Sequence, residues 1–225
     1  MKDDNPGRTF PFVTMGLIGL NVAAFLYEAF LPLPEQRALI LQMGLVPAEI
    51  MTGRPVGSDF PLPLTLFTSM FLHGGLLHLA GNMLYLYIFG NNVEDATGHF
   101  SFLVFYLLCG LAAAGTQVAA APRSLIPMIG ASGAIAGVLG AYMVLFPKAR
   151  VLTLVPIFIF VRLMYLPAIL VLGLWFVYQL LLSGSAYGGD GGGVAFFAHI
   201  GGFVAGMALV WLFRKRRPSL RVAEW

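Results

Sequence analysis

The sequence predicts an all-α membrane protein, a six-transmembrane-helix bundle with both termini in the cytoplasm, and three observations carry that prediction. Of 225 residues, 59% are hydrophobic and 10% charged, with a mean hydropathy of +0.85, whereas soluble domains carry about 25% charged residues. The apolar residues gather in six runs, each close to the roughly 20 residues that a bilayer core requires. Lys and Arg are distributed unevenly between the segments joining those runs, which sets an orientation.

The six runs lie near residues 10–30, 75–92, 100–121, 126–147, 164–183 and 194–213. Their separators are polar or rich in Gly and Pro: the long stretch 31–63, then 91–98, 121–124, 147–162 and 183–193. With the N-terminus inside, the inner segments hold Lys2, Arg8, Lys148, Arg150, Arg162, Arg214, Lys215, Arg216, Arg217 and Arg221. The outer segments then hold Arg37, Arg54 and Arg123, so ten basic residues face three. The chain divides into a short cytoplasmic N-terminus (1–9), a six-span domain (10–213) and a basic cytoplasmic tail (214–225), with no internal repeat and no soluble domain. The first apolar run exceeds a signal-peptide core and lacks a small-x-small cleavage site, so it reads as a retained span. The segment VLTLVPIFIFVRL, with its flanking basic residues, is apolar enough to dip into the inner leaflet.

Composition also excludes functions. The net charge of +3 and pI near 9.2 could suggest nucleic acid, but the basic residues cluster beside apolar spans, where anionic lipid headgroups sit, and the expected partner is the bilayer. The single cysteine, Cys109, lies in an apolar run, so neither a disulfide framework nor a cysteine metal cluster forms within one chain.

Strongly polar side chains are few in the spans, and the histidines, asparagine and serine that read as candidates fall in the second, fourth and sixth. The second run, FLHGGLLHLAGNMLYLYIF, offers His73, His78 and Asn82; the fourth offers Ser132; the sixth, FFAHIGGFVAGM, offers His199. His99 stands at a loop edge beside Asn91, Asn92, Glu94 and Asp95 and reads as interfacial. An ionisable group inside a span marks a functional site by default, because hydrocarbon penalises it. Taken alone, His199 could be a structural hydrogen bond between helices, and Ser132 beside Gly133 and Gly137 could belong to a packing surface.

Depth joins the two. The even-numbered spans run from outside to inside, and at about 1.5 Å per residue His199 and Ser132 lie roughly 8 and 9 Å from the starts of their runs. Pro127 and Gly130 disfavour a helix before Ala131 or Ser132. From Ser132 to Phe146 a helix then covers about 22 Å of a core about 30 Å thick. Ser132 therefore sits at a helix N-terminus inside the membrane, where non-helical backbone is tolerated only within protein or beside a water-filled cavity. Such an N-terminus presents free N–H groups to a developing oxyanion. His78 and Asn82, four residues apart, are about 40° apart on one helix face and supply two neutral donors. His73 and His78 are about 140° apart on a continuous helix, poorly placed to share a metal unless Gly74–Gly75 breaks it. Apart from Glu28, near the outer end of the first span, no acid lies in an apolar core. The reading is therefore a Ser132/His199 pair, serine as nucleophile and histidine as general base and then acid, with no third member. Gly133 and Gly137, facing Gly202 and Gly206, would let the fourth and sixth helices touch.

These residues resemble the rhomboid intramembrane serine proteases. The motifs are HGGLLHLAGN (73–82), GASG (130–133) and AHIGGFVAG (198–206), in that order on the second, fourth and sixth spans. The resemblance implies a Ser132/His199 dyad, an oxyanion site of His78, Asn82 and the Ser132 backbone N–H, and His73 near the cavity mouth, with Gly130 and Gly133 beside the site. It implies single-span membrane proteins as substrates, no metal or other cofactor, and the fifth span as a lateral gate. The chain resembles a compact, bacterial-type member, which would place it in a bacterial inner membrane. Two features depart from well-studied members: position 136, where they carry a tyrosine stacked on the catalytic histidine, is Ala136, and residues 31–63 contain no tryptophan. Another aromatic, Phe196, Phe197 or Tyr142, is then expected to hold His199.

Two other readings compete. A catalytically silent rhomboid-like protein that binds membrane clients would have lost the serine or the histidine, and both are present. A metal-dependent protease or haem carrier using His73, His78 and His199 lacks acidic or cysteine ligands.

Overall fold

A computed structural model describes residues 3–5, 7–55, 59–157, 160–186 and 195–215. Most of the basic tail, from residue 216 onward, lies outside the described residues. The first apolar run forms α1 (Phe12–Phe30). The stretch read as a separator is largely helical, with α2 (Leu33–Met43), α3 (Pro47–Thr52) and α4 (Leu62–Thr68), the last continuing into a 3-10 turn at Ser69–Phe71. Each of these three helices carries a proline in its first turn, where the missing N–H costs nothing. They were not legible as elements because they are short and carry no sustained apolar period.

The second run forms α5 (Leu76–Thr97), which continues through the polar residues expected to end it, and a single glycine, Gly98 (φ +93°), turns the chain into α6 (His99–Ala120). The polar stretch stays helical because its side chains bind the N-terminal segment. Glu94 accepts hydrogen bonds from the backbone N–H groups of Val13 (3.0 Å) and Thr14 (2.8 Å) and from the Thr14 hydroxyl (2.6 Å), satisfying the first turn of α1. Asn92 donates to Asp3 (2.7 Å), and Asp95 accepts from the backbone of Arg8 and Thr9. His99, the residue read as interfacial, pairs with Glu94.

The fourth run gives α7 (Ser132–Leu145), in which every residue from Ala134 to Tyr142 is buried. The apolar segment after it is a correction to the sequence reading. It forms an antiparallel hairpin, β1 (Arg150–Ile157) with β2 (Phe160–Pro167), Arg150 facing Pro167 and Ile157 facing Phe160. The fifth helix, α8 (Ala168–Ala186), consequently starts four residues later than the expected 164. The β-branched and aromatic residues of the segment suit a pleated strand, and their hydropathy had merged with that of the helix. The sixth run is α9 (Phe196–Phe213).

The chain is an integral membrane protein with a mostly helical fold. Among the described residues, α1, α6 and α9 are long and apolar enough to cross a bilayer, and a fourth crossing arises if Leu62–Phe71 and Leu76–Thr97, bent by 83°, act as one; α7 and the Ala168–Ser183 stretch of α8 are shorter apolar helices. Large apolar side chains such as Phe30, Leu77 and Leu212 point outward, as lipid contact requires. The segments leading into α1 and out of α9 meet at one end of the bundle, since Asp95 is bound through its carboxylate by Arg8 and Thr9 and through its carbonyl by the Lys215 ammonium (3.1 Å).

α7 lies against α9 without intervening side chains. A β-carbon on Gly202 would overlap the Gly133 carbonyl, one on Gly206 the Gly137 carbonyl, and one on Gly140 the Phe203 carbonyl. The glycine faces expected from spacing are thus the contact between these helices, with Cys109 and Ala113 of α6 closing the third side against Gly137 and Gly133.

Candidate active site

The segment before α7 is exposed at Leu125 and Ile126, half-buried from 127 to 130, and tied down by backbone pairing. Met128 and Leu45 exchange two hydrogen bonds (2.7 and 3.0 Å), and the Gly130 N–H donates to the Ser69 carbonyl (2.8 Å). Gly130 has φ +119°, and a β-carbon there would lie 2.7 Å from the His78 ring. Only glycine both adopts this backbone and leaves room for that imidazole. The turn delivers Ser132 as the first residue of α7, a helix of 14 residues and so about 21 Å long. The first α-helical bond at this end is Ile135 N–H to Ala131 O. The Ser132 and Gly133 amides precede it and point out of the helix end.

α9 begins at Phe196, and its first turn is held by α6, where the Gln117 side chain accepts the Ala198 N–H at 3.2 Å. One residue on, His199 Nε2 lies 2.8 Å from Ser132 Oγ. On its other side, His199 Nδ1 lies 2.8 Å from Oε1 of Gln179 on α8. A carbonyl oxygen only accepts, so Nδ1 carries the ring proton and Nε2 offers its lone pair to the Ser132 hydroxyl. Trp175, one turn before Gln179, sets its ring against the same imidazole, with centroids 5.8 Å apart and planes inclined by 41°.

Neither Gln179 nor Trp175 was picked out in the sequence. A search for a third partner among acids passes over a glutamine, although Gln179 is the lone strongly polar residue between Ala168 and Leu182. Tyr142, one aromatic expected to hold His199, is committed elsewhere. Its hydroxyl donates to Asp3 (2.6 Å) at the opposite end of α7, and its ring packs edge-on to Phe89.

The second helix brings the remaining polar groups. The chain bends between the 3-10 turn and α5, so His73 and His78 come together with ring centroids 5.1 Å apart. His73 stands behind the site rather than at its mouth: it is 1% exposed, and its backbone N–H donates to Glu28 (3.3 Å). Its Nδ1 faces the Phe71 carbonyl (3.3 Å) and must carry the proton, so Nε2 accepts from the Asn82 amide nitrogen at 3.0 Å. That bond fixes the Asn82 carboxamide and leaves its second N–H free for the cavity. A cavity of about 400 Å³ opens over these groups, lined among others by Ser132, His199, His78, Asn82, Gly130 and Trp175.

The fold and the site define an integral membrane protein that holds a serine–histidine pair at a helix N-terminus lining a cavity. A family model described as the Rhomboid domain matches residues 63–216, well over half of the chain, and the protein belongs to the rhomboid family. Similar proteins include "Rhomboid-like protein 11, chloroplastic" of Arabidopsis thaliana, 30% identical over 170 residues, which cover 70% of this chain and 55% of that one. "Rhomboid protein 1, mitochondrial" of Saccharomyces cerevisiae is 27% identical over 205 residues, covering 88% of this chain and 52% of the other. "Rhomboid protease GluP" of Bacillus subtilis is 43% identical over 76 residues, 34% of this chain and 14% of that protein. The chain spans about half the length of the first two of these curated relatives. Since they carry chloroplast and mitochondrial names, the expected bacterial inner membrane finds no support from them, and an integral membrane location is what stands.

Proposed function

We propose that this protein is an intramembrane serine endopeptidase that cuts single-span membrane proteins in or near their transmembrane segments. The observation that carries the reading is the 2.8 Å contact between Ser132 Oγ and His199 Nε2 at the start of a buried helix, inside a cavity. The hydroxyl is within reach of a base whose lone pair faces it, which is the requirement for an activated nucleophile. Ser132 Oγ attacks the scissile carbonyl carbon while His199 Nε2 takes its proton. The resulting oxyanion is met by the Ser132 backbone N–H, the free N–H of Asn82 and the His78 ring, all of them neutral donors. On collapse the C–N bond breaks and His199 returns the proton to the leaving amine. Water then attacks the acyl-enzyme carbonyl, giving its proton to His199, and the serine is regenerated as the ester C–O bond breaks.

In this reading the chain crosses the bilayer six times through α1, α5, α6, α7, α8 and α9, with both termini in the cytoplasm and the site near the outer face. Support comes from the excess of basic residues in the inner segments and from Arg8 and Lys215, before α1 and after α9, meeting at Asp95. α8 is the element that would move to admit a substrate helix from the lipid.

The test is reconstitution of the purified protein in liposomes with a single-span substrate, comparing wild type, Ser132→Ala, His199→Ala and a chelator-treated sample. The expected result is cleavage that survives EDTA and disappears in both variants. Cleavage that persists in Ser132→Ala, or that EDTA abolishes, overturns the assignment; client binding without cleavage in the wild type supports the silent alternative.

A further inference from the structure

We propose that Gln179 is the positioning residue of the catalytic histidine, standing where serine proteases of other folds place a carboxylate. The inference rests on the Ser132/His199 reading above and goes beyond it, because that reading needed two residues only. Gln179 sits in an apolar helix and is 6% exposed. A carboxamide there is costly unless it is hydrogen-bonded. Its oxygen meets His199 Nδ1 at 2.8 Å, on the ring edge opposite the serine. Three helices therefore supply one relay: α8 through Gln179, α9 through His199 and α7 through Ser132.

The arrangement answers a need set by position 136. Position 136 on α7 is a fully buried alanine, so no ring from that helix rests on His199. The imidazole is held from α8 instead, by the Trp175 face and the Gln179 oxygen one turn later. The anchoring of α8 to α9 is carried by other contacts, the stack of Phe176 on Phe203 (4.6 Å) and the Trp175–Phe203 pair (6.0 Å). Gln179 is thus the member of α8 whose polar atom is spent on the histidine.

The chemistry follows from a neutral acceptor. Gln179 fixes the tautomer with the proton on Nδ1 and aims Nε2 at Ser132, as an aspartate does in a triad, but adds no negative charge to stabilise the imidazolium. Converting it to glutamate keeps the acceptor and adds the charge.

The experiment compares wild type, Gln179→Leu and Gln179→Glu in liposomes, reading kcat, KM and the pH profile of cleavage. It adds labelling of Ser132 by a small fluorophosphonate, which reads nucleophile activation without a peptide substrate. We expect Gln179→Leu to lower kcat and labelling rate by roughly 10- to 100-fold with KM nearly unchanged, by analogy with the loss of a partner that orients a metal-bound histidine. Gln179→Glu is expected to recover most of that loss and to move the acidic limb of the profile to higher pH. Unchanged kcat and labelling in Gln179→Leu overturn the proposal. So does an acidic limb in Gln179→Glu that coincides with wild type, a readout that holds even where the leucine variant does not fold. A wild type that neither cleaves nor labels overturns the protease reading itself, whereas a cleaving wild type matched by Gln179→Leu removes Gln179 alone.

Discussion

Gly202 of α9 rests on the carbonyl of Gly133, the residue after Ser132, with no room for a β-carbon between them. Three residues before Gly202 on the same helix stands His199. The distance between the Ser132 and His199 side chains is therefore set by a backbone-to-backbone contact one turn away. Gly202→Ala is expected to push α9 off α7 and lower cleavage at least 10-fold, since overpacking of this kind costs about 1–3 kcal/mol. Gly16→Ala on α1, whose β-carbon would meet nothing within 4 Å, is the matched control. It should leave activity unchanged and stability unchanged or slightly raised, because alanine favours the helix. Equal rates for the two variants would show that the close contact does not set the geometry.

Asn82 and His73 form a second pair with a measurable hierarchy. Asn82→Ala removes a proposed oxyanion donor and should slow cleavage by about 10- to 1000-fold without unfolding the protein. His73→Phe keeps the ring volume but leaves the Asn82 amide free to turn. It should slow cleavage in the same direction and by less, and the double variant should be no slower than Asn82→Ala. Additive losses would place His73 in some other role.

Glu94 is a stability residue away from the chemistry. Its buried carboxylate is the shared acceptor for Val13 N–H, Thr14 N–H and the Thr14 hydroxyl. In Glu94→Ala these donors lose their partner, at a cost of about 1–3 kcal/mol for a buried donor left unsatisfied. The apparent Tm should fall by about 5–10 °C, with cleavage retained at low temperature. Glu94→Gln, which keeps one acceptor oxygen, should fall in between. A Tm equal to wild type in the alanine variant would remove the capping role.

The N-terminal segment should be pH-sensitive. Burial raises the Asp3 carboxyl above its ordinary value of 3.8, offset in part by the hydrogen bond from Tyr142. A raised value means the docked state favours the protonated form. Docking is then strongest below the ordinary carboxylate range and weakens as pH rises through the raised value. Hydrogen exchange at residues 3–9, corrected for intrinsic rates, should show protection falling with pH in wild type and flat in Asp3→Asn, which keeps an acceptor for Tyr142. Protection that grows with pH would reverse the sign of this argument.

Much of the site was legible because each clue was local. Pro127 and Gly130 disfavour a helix, so a start near Ala131 or Ser132 followed from backbone sterics, and α7 begins at Ser132. The small residues at Gly133, Gly137, Gly202 and Gly206 recur at helical spacing, so the close pairing of α7 with α9 could be read as two matching faces. The fifth helix was less legible. Its start was misplaced because hydropathy does not separate an apolar strand from an apolar helix, and only the pairing of β1 with β2 divides them.

By itself the sequence determined a membrane protein with a serine where a helix starts and a histidine early in a later helix. Polar groups in an apolar chain are few, and hydrocarbon penalises each one that has no purpose. Only the tertiary structure decided what orients them. Gln179 lies 20 residues before His199 along the chain, and Trp175 lies 24 before it. A single hydrogen bond or ring contact between two helices leaves no periodic trace, unlike the glycine faces of α7 and α9, so neither partner could be assigned to the imidazole in advance. The 83° bend that brings His73 back to Asn82 likewise arises where two helix ends meet, a geometry set by the packing around them rather than by the intervening glycines alone.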